Sequence, residues 1–106
     1  MLAWTKDFEK VSGETIYRDM PGGSGALYRQ HVCPHCLTRT HTEMSAYPEI
    51  VNVRPGTLDR PDAVTPIAQA WTDLAQPWAI VPGIRCFPEN PSDVPGLFEQ
   101  WRKLHG

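Results

Sequence analysis

Eleven prolines spread through 106 residues set the strongest limit on what this chain can become. An interior proline lacks an amide hydrogen and clashes with the preceding helical turn, so this density excludes a helical bundle. Short extended segments joined by turns are expected instead. Residues 2–5, 8–11, 15–18, 26–32, 37–43, 50–53 and 66–72 read as strands, with Ser12-Gly13 as a turn and Met-Pro-Gly-Gly-Ser-Gly at 20–25 as a loop. Thr38, Thr40 and Thr42 fall on one face of their strand, and their β-branching argues against a helix there. Residues 57–65 read as loop, and 76–91 offer edge strands at best. Only the end looks helical. Leu97, Phe98, Trp101 and Leu104 form an apolar stripe, Ser92 or Asp93 can cap its start, and Gly106 can cap its end. There is no internal repeat.

The length allows one domain, residues 1–106. Hydrophobic residues at 41% and charged residues at 21% are ordinary for a globular protein. The net charge of −2 leaves no basic surplus, which argues against a general nucleic-acid binder. Three cysteines are an odd number, so a complete internal disulfide framework is excluded. The first residues show no signal peptide. The longest uncharged run, 74–84, is short and holds two prolines, so no membrane span is expected. These features point to a reducing cytoplasm, where cysteines serve more often as ligands or catalysts than as cross-links.

The sharpest chemical feature is Cys33-Pro34-His35-Cys36. Two cysteines at this spacing can place both sulfurs on one metal ion, with tetrahedral zinc the usual guest. The alternatives are a pair of buried free thiols or a redox pair. The tetrapeptide resembles the active site of thioredoxin-like disulfide oxidoreductases, where the first cysteine sits at a helix N-terminus that lowers its pKa. Here a strand-like segment follows and no βαβ pattern precedes it, so that context is missing. A tetrahedral zinc needs two more ligands, and His31 and His41 are the nearby candidates; each also reads as an ordinary surface or hydrogen-bonded histidine. Cys86, alone between apolar neighbours, reads as a small buried hydrophobe. Trp4, Trp71, Trp78 and Trp101 read as core or interface anchors. Arg54 and Arg60 can hold a carboxylate, or be solvated or paired with Asp59 and Asp62.

Several segments in order resemble one family: Ala3-Trp4, Gly13-Glu14 with Tyr17-Arg18, Cys33-x-x-Cys36 with Thr38, Val51-Asn52-Val53, Gly56-Thr57-Leu58-Asp59, Trp71, and Gln76-Pro77-Trp78. Together they resemble the glutathione-dependent formaldehyde-activating (GFA) family, also called the CENP-V/GFA domain, over residues 3–91. The resemblance implies a mainly β, Mss4-like tent of small antiparallel sheets with a short C-terminal helix. It also implies an S-(hydroxymethyl)glutathione synthase type of activity, a carbon–sulfur lyase in the reverse sense, with glutathione or another small thiol adduct as partner. In the family a structural zinc lies between a Cys-x-x-Cys pair and an N-terminal Cys-x-Cys, and a catalytic zinc on a Cys-x-Cys-x-x-Cys motif. Cys33 and Cys36 match half of the structural site, and the two N-terminal motifs are not in these 106 residues. Glycine usually follows the second cysteine, where Leu37 stands.

The expectation is a GFA-like zinc domain without the family's N-terminal part, inactive as this chain because the catalytic cysteine triad is absent. An upstream start, a degenerate copy or completion by a second chain would each explain that pattern. The alternative is a zinc-stabilised structural or interaction module, as a homodimer sharing one metal between two cysteine pairs. A disulfide oxidoreductase ranks below both.

Overall fold

The structure is a computed structural model that describes residues 1–22 and 25–105. Part of the loop expected at 20–25 and the helix cap expected at Gly106 therefore lie outside the described residues. The chain divides into two compact units, Met1–Pro61 and the residues from Asp62 onward.

The first unit is a five-stranded antiparallel sheet. Its strands are β1 (Leu2–Trp4), β2 (Ile16–Pro21), β3 (Leu27–Val32), β4 (Arg39–Met44) and β5 (Ile50–Val53), in the order β1-β5-β4-β3-β2. The expected strand at 8–11 is absent, and a 3-10 turn at Thr5–Asp7 carries the chain off β1 instead. β2 runs three residues beyond the expected segment because it pairs along all of β3, from Ile16 opposite Val32 to Pro21 opposite Leu27. Pro21 is tolerated because β2 is an edge strand that needs no donor there. Gly22 follows at a position where a Cβ would overlap the Tyr28 ring. β4 and β5 fall close to where the alternation placed them.

Between β3 and β4 the register slips by one residue. His31 faces His41, but Val32 faces Arg39, so Thr40 is the extra residue of a β-bulge. Buried Ile50 and Val51 anchor this sheet from β5, with Thr42 as its buried polar residue.

The second unit holds β6 (Ala68–Ala70), β7 (Arg85–Phe87) and α1 (Val94–His105). The expected strand at 66–72 shrinks to its middle. Pro66 has no amide to donate, and Trp71 ends β6 in the left-handed region at φ 58°. β6 and β7 pair in parallel, not antiparallel as expected. A parallel pair needs a long crossover, and residues 71–84 supply it. Asp93, not Ser92, caps α1: its Oδ1 accepts the Gly96 amide at 3.1 Å. Leu97 is buried, while Leu104 at the end of the stripe is 63% exposed. Phe87 and Leu97 are the buried apolar residues of this unit. Three of the tryptophans are not core, since Trp4 and Trp71 are exposed and Trp78 is 85% exposed, while Trp101 is half-buried. The architecture is mainly β with one short C-terminal helix. No helix among the described residues is long and apolar enough to cross a membrane.

Val51, only 2% exposed, gives the clearest test of this packing. Val51→Ala removes two buried methyl groups and leaves a cavity, so it should lower unfolding free energy by about 2 kcal/mol. Urea unfolding followed by far-ultraviolet circular dichroism measures it. A change below about 0.5 kcal/mol, the range of surface substitutions, would remove β5 from the core.

Candidate functional site

The β3–β4 hairpin carries every metal-ligating candidate in the first unit named from sequence. Its tip is a tight turn over Cys33-Pro34-His35-Cys36. The Cys33 carbonyl accepts the Leu37 amide at 2.9 Å, and the Cys33 amide donates to the Thr38 carbonyl at 2.9 Å. These bonds close the chain on itself and set both thiols on one turn. Cys33 is half-buried and Cys36 exposed. Hydrogen bonds aimed at the Cys36 sulfur by the Thr38 hydroxyl, then by the Thr38 amide and the Cys33 thiol, hold its pKa below that of an ordinary thiol. Its Sγ lies 3.2 Å from Thr38 Oγ1. A thiol that ionises readily is suited to metal binding or nucleophilic attack. The turn runs into β4 rather than a helix, so no helix N-terminus supports Cys33 as in the oxidoreductases.

The turn closes through Leu37 at φ 61°. A side chain in this left-handed region crowds the following carbonyl, which is why glycine is favoured there. Leu37 adopts it with its side chain 66% exposed.

Further down the hairpin a second cluster forms. His31 and His41 face each other across β3 and β4, with rings stacked at 4.2 Å and 11°. Glu43 lies two residues beyond His41 on the same face. Its Oε1 is 3.2 Å from His31 Nε2. That nitrogen is buried and has no hydrogen bond of acceptable geometry. Hydroxyls hold the other ring nitrogens: Thr15 Oγ1 is 2.9 Å from His31 Nδ1, and Thr40 Oγ1 is 2.9 Å from His41 Nδ1. Phe8 lies against His41 at 4.9 Å and Tyr17 against His31 at 5.7 Å. Burial, and next the charge of His31, lower the His41 pKa, opposed by Glu43, so its imidazole is neutral near pH 7. Beside them Arg29 is bound by Asp19 at 2.9 and 3.1 Å and lies over the Tyr17 ring.

Among the described residues, the donors gathered within 4.8 Å of one another are those of His31, His41 and Glu43; neither sulfur is in that group. The structure thus brings the two histidines together with a carboxylate. The sequence offers no site reading for Glu43 or Thr15, and Thr40 reads there only as part of a strand face. Glu43 was within reach, since a strand through 37–43 puts it on the face of His41. Thr15 sits outside any strand and becomes a partner only through pairing of β2 with β3.

Cys86 is exposed, correcting its reading as a buried hydrophobe, and Gln69 Nε2 donates to its sulfur at 3.2 Å. On the opposite face of the sheet, Arg18, Gln30 and Arg39 line an open cleft of about 330 Å³ floored by Met20, Val32 and Leu37.

A family model described as "Glutathione-dependent formaldehyde-activating enzyme" matches residues 1–74. The match includes the Cys33–Cys36 turn and the histidine cluster, and stops before Pro77-Trp78. No curated protein and no solved structure matches the chain.

The left-handed Leu37 yields a direct test. Leu37→Gly should raise stability by about 1 kcal/mol, and Leu37→Val should lower it, because a β-branched side chain fits φ 61° worse. Thermal and urea unfolding of the two variants check this; equal stabilities would show that the turn does not hold this conformation.

Proposed function

Because the chain belongs to the glutathione-dependent formaldehyde-activating family, we propose that it is a zinc-binding β domain in which Cys33 and Cys36 supply two thiolates to the metal. The observation that carries this reading is the turn itself: two sulfurs on one tight loop, one of them already biased towards thiolate. The residues fit half of a tetrahedral site, since zinc takes four ligands and the turn offers two. When bound, such a zinc holds thiolate sulfur and can polarise a carbonyl oxygen. The turn's own contribution is to preset the sulfur positions and to favour loss of the Cys36 proton, which metal binding requires.

By itself this chain does not catalyse the condensation of formaldehyde with glutathione. Its three cysteines are one pair plus the distant Cys86 and cannot supply a Cys-x-Cys-x-x-Cys triad. A small thiol adduct remains the fitting ligand class, and a reducing, cytoplasmic setting fits two unpaired thiols. A second reading is favoured by the two-sulfur count: two chains can complete one tetrahedral zinc, giving an interaction module built as a dimer. The edge strand β2, largely exposed, offers a further surface for such pairing.

Two measurements test the reading. In zinc-saturated protein, Cys33 and Cys36 should resist alkylation until a chelator is added, whereas exposed Cys86 should react at once. Immediate alkylation of all three, located by mass spectrometry, would overturn the cysteine site. Condensation of formaldehyde with glutathione should run at the spontaneous rate with this chain present; acceleration would overturn the assignment as inactive. The dimer reading expects a native mass of two chains that halves on chelation and with Cys33→Ser.

A further inference from the structure

We propose that His31, His41 and Glu43 form a second metal site, separate from the cysteine pair and suited to a divalent first-row transition ion. Two histidines and one carboxylate are a recurrent donor set for such ions, and the register of β3 and β4 places all three on one sheet face.

Three independent features point to a ligand rather than to a plain ion pair. The first is the orientation of the rings. Thr15 and Thr40 each hold a histidine by Nδ1 at 2.9 Å, leaving Nε2 of both rings as the free donor. Fixing the far nitrogen by a hydrogen bond is how metal-binding histidines are commonly set in orientation and tautomer. The second is the unsatisfied Nε2 of His31. It is buried and only 3.2 Å from Glu43 Oε1, yet misaligned for a hydrogen bond. Buried polar atoms are rarely left without a partner, and a cation in front of both atoms would satisfy each. The third is electrostatic. Arg29, a cation on this face, is held by Asp19; it feels the Glu43 charge but makes no hydrogen bond or ion pair with Glu43 among the described residues.

Binding needs a small closure. A tetrahedral ion holds nitrogen and oxygen donors roughly 3.3 Å apart. The three donors lie within 4.8 Å of one another, so they must draw inward. The stacked rings must also open from 11°, because an imidazole binds a metal in its own plane. Glu43 is largely exposed and free to swing over the site. Thr40 owes its place beside His41 to the β-bulge, so the bulge serves the site.

Cobalt titration separates this site from the cysteine site, because only thiolate ligands give a sulfur-to-cobalt charge-transfer band in the near ultraviolet. The Cys33→Ser/Cys36→Ser variant should bind cobalt without that band, with histidine ring protons shifted in its NMR spectrum. In that background Glu43→Gln and His41→Ala should abolish binding, and Thr40→Val should weaken it by about tenfold. Glu43 is exposed, so Glu43→Gln should fold normally, which circular dichroism checks. Failure of the double-serine variant to bind cobalt, or binding that Glu43→Gln and His41→Ala leave unchanged, would overturn the proposal. A wild-type chain that binds cobalt without the sulfur band would instead overturn the cysteine site and leave this one standing.

Discussion

The pairing of β3 with β4 is the constraint from which both candidate centres descend. One hairpin holds Cys33 and Cys36 at its tip and His31, His41 and Glu43 along its length. Its register decides which side chains meet. Because residues alternate faces along a strand, a slip of one position would turn His41 away from His31. The bulge at Thr40 lets two registers coexist: one closes the cysteine turn through Val32 opposite Arg39, the other sets the histidines face to face. The extra residue also places a hydroxyl on His41 Nδ1. A single backbone irregularity therefore serves two parts of the chemistry.

The two centres differ in what holds them. The cysteine turn is local, closed by hydrogen bonds between residues at most five apart and by one left-handed residue. The histidine cluster is assembled from β3, β4 and the segment before β2, and its second hydroxyl comes from Thr15, sixteen residues from His31. Loss of the sheet would dissolve the second and leave the first largely able to re-form. The family match spans both, and the imidazole–carboxylate cluster is a donor set of a different kind from the sulfur pair.

The second unit is built on longer connections and few buried residues. Its parallel pair β6–β7 depends on a crossover that carries Trp71 and the largely exposed Trp78. Trp71 donates its indole hydrogen to Asn90 at 3.1 Å, and its amide donates to the Glu89 carbonyl at 3.0 Å. These bonds hold a bulky residue in the left-handed region, which its side chain alone would disfavour. Tryptophans are often core, but Trp71 is placed by its hydrogen bonds and Trp78 lies largely in solvent, while Phe87 is the buried aromatic.

The sequence by itself determined the secondary-structure class, the β5 and α1 segments, and the placing of the Cys33-x-x-Cys36 pair between two strands. Proline density, alternation and spacing are local properties, and each acts within a few residues. Family membership was legible in the same way, because Cys33-x-x-Cys36 and Gly56-Thr57-Leu58-Asp59 are short ordered motifs. Only the tertiary structure decided the rest. The parallel run of β6 and β7, the length of β2 and the exposure of Cys86 depend on partners distant in sequence. So does the grouping of His31 with Glu43 and Thr15. A histidine's role follows from what faces it, and what faces it is set by strand register, which a strand polar on both faces such as β4 constrains only weakly.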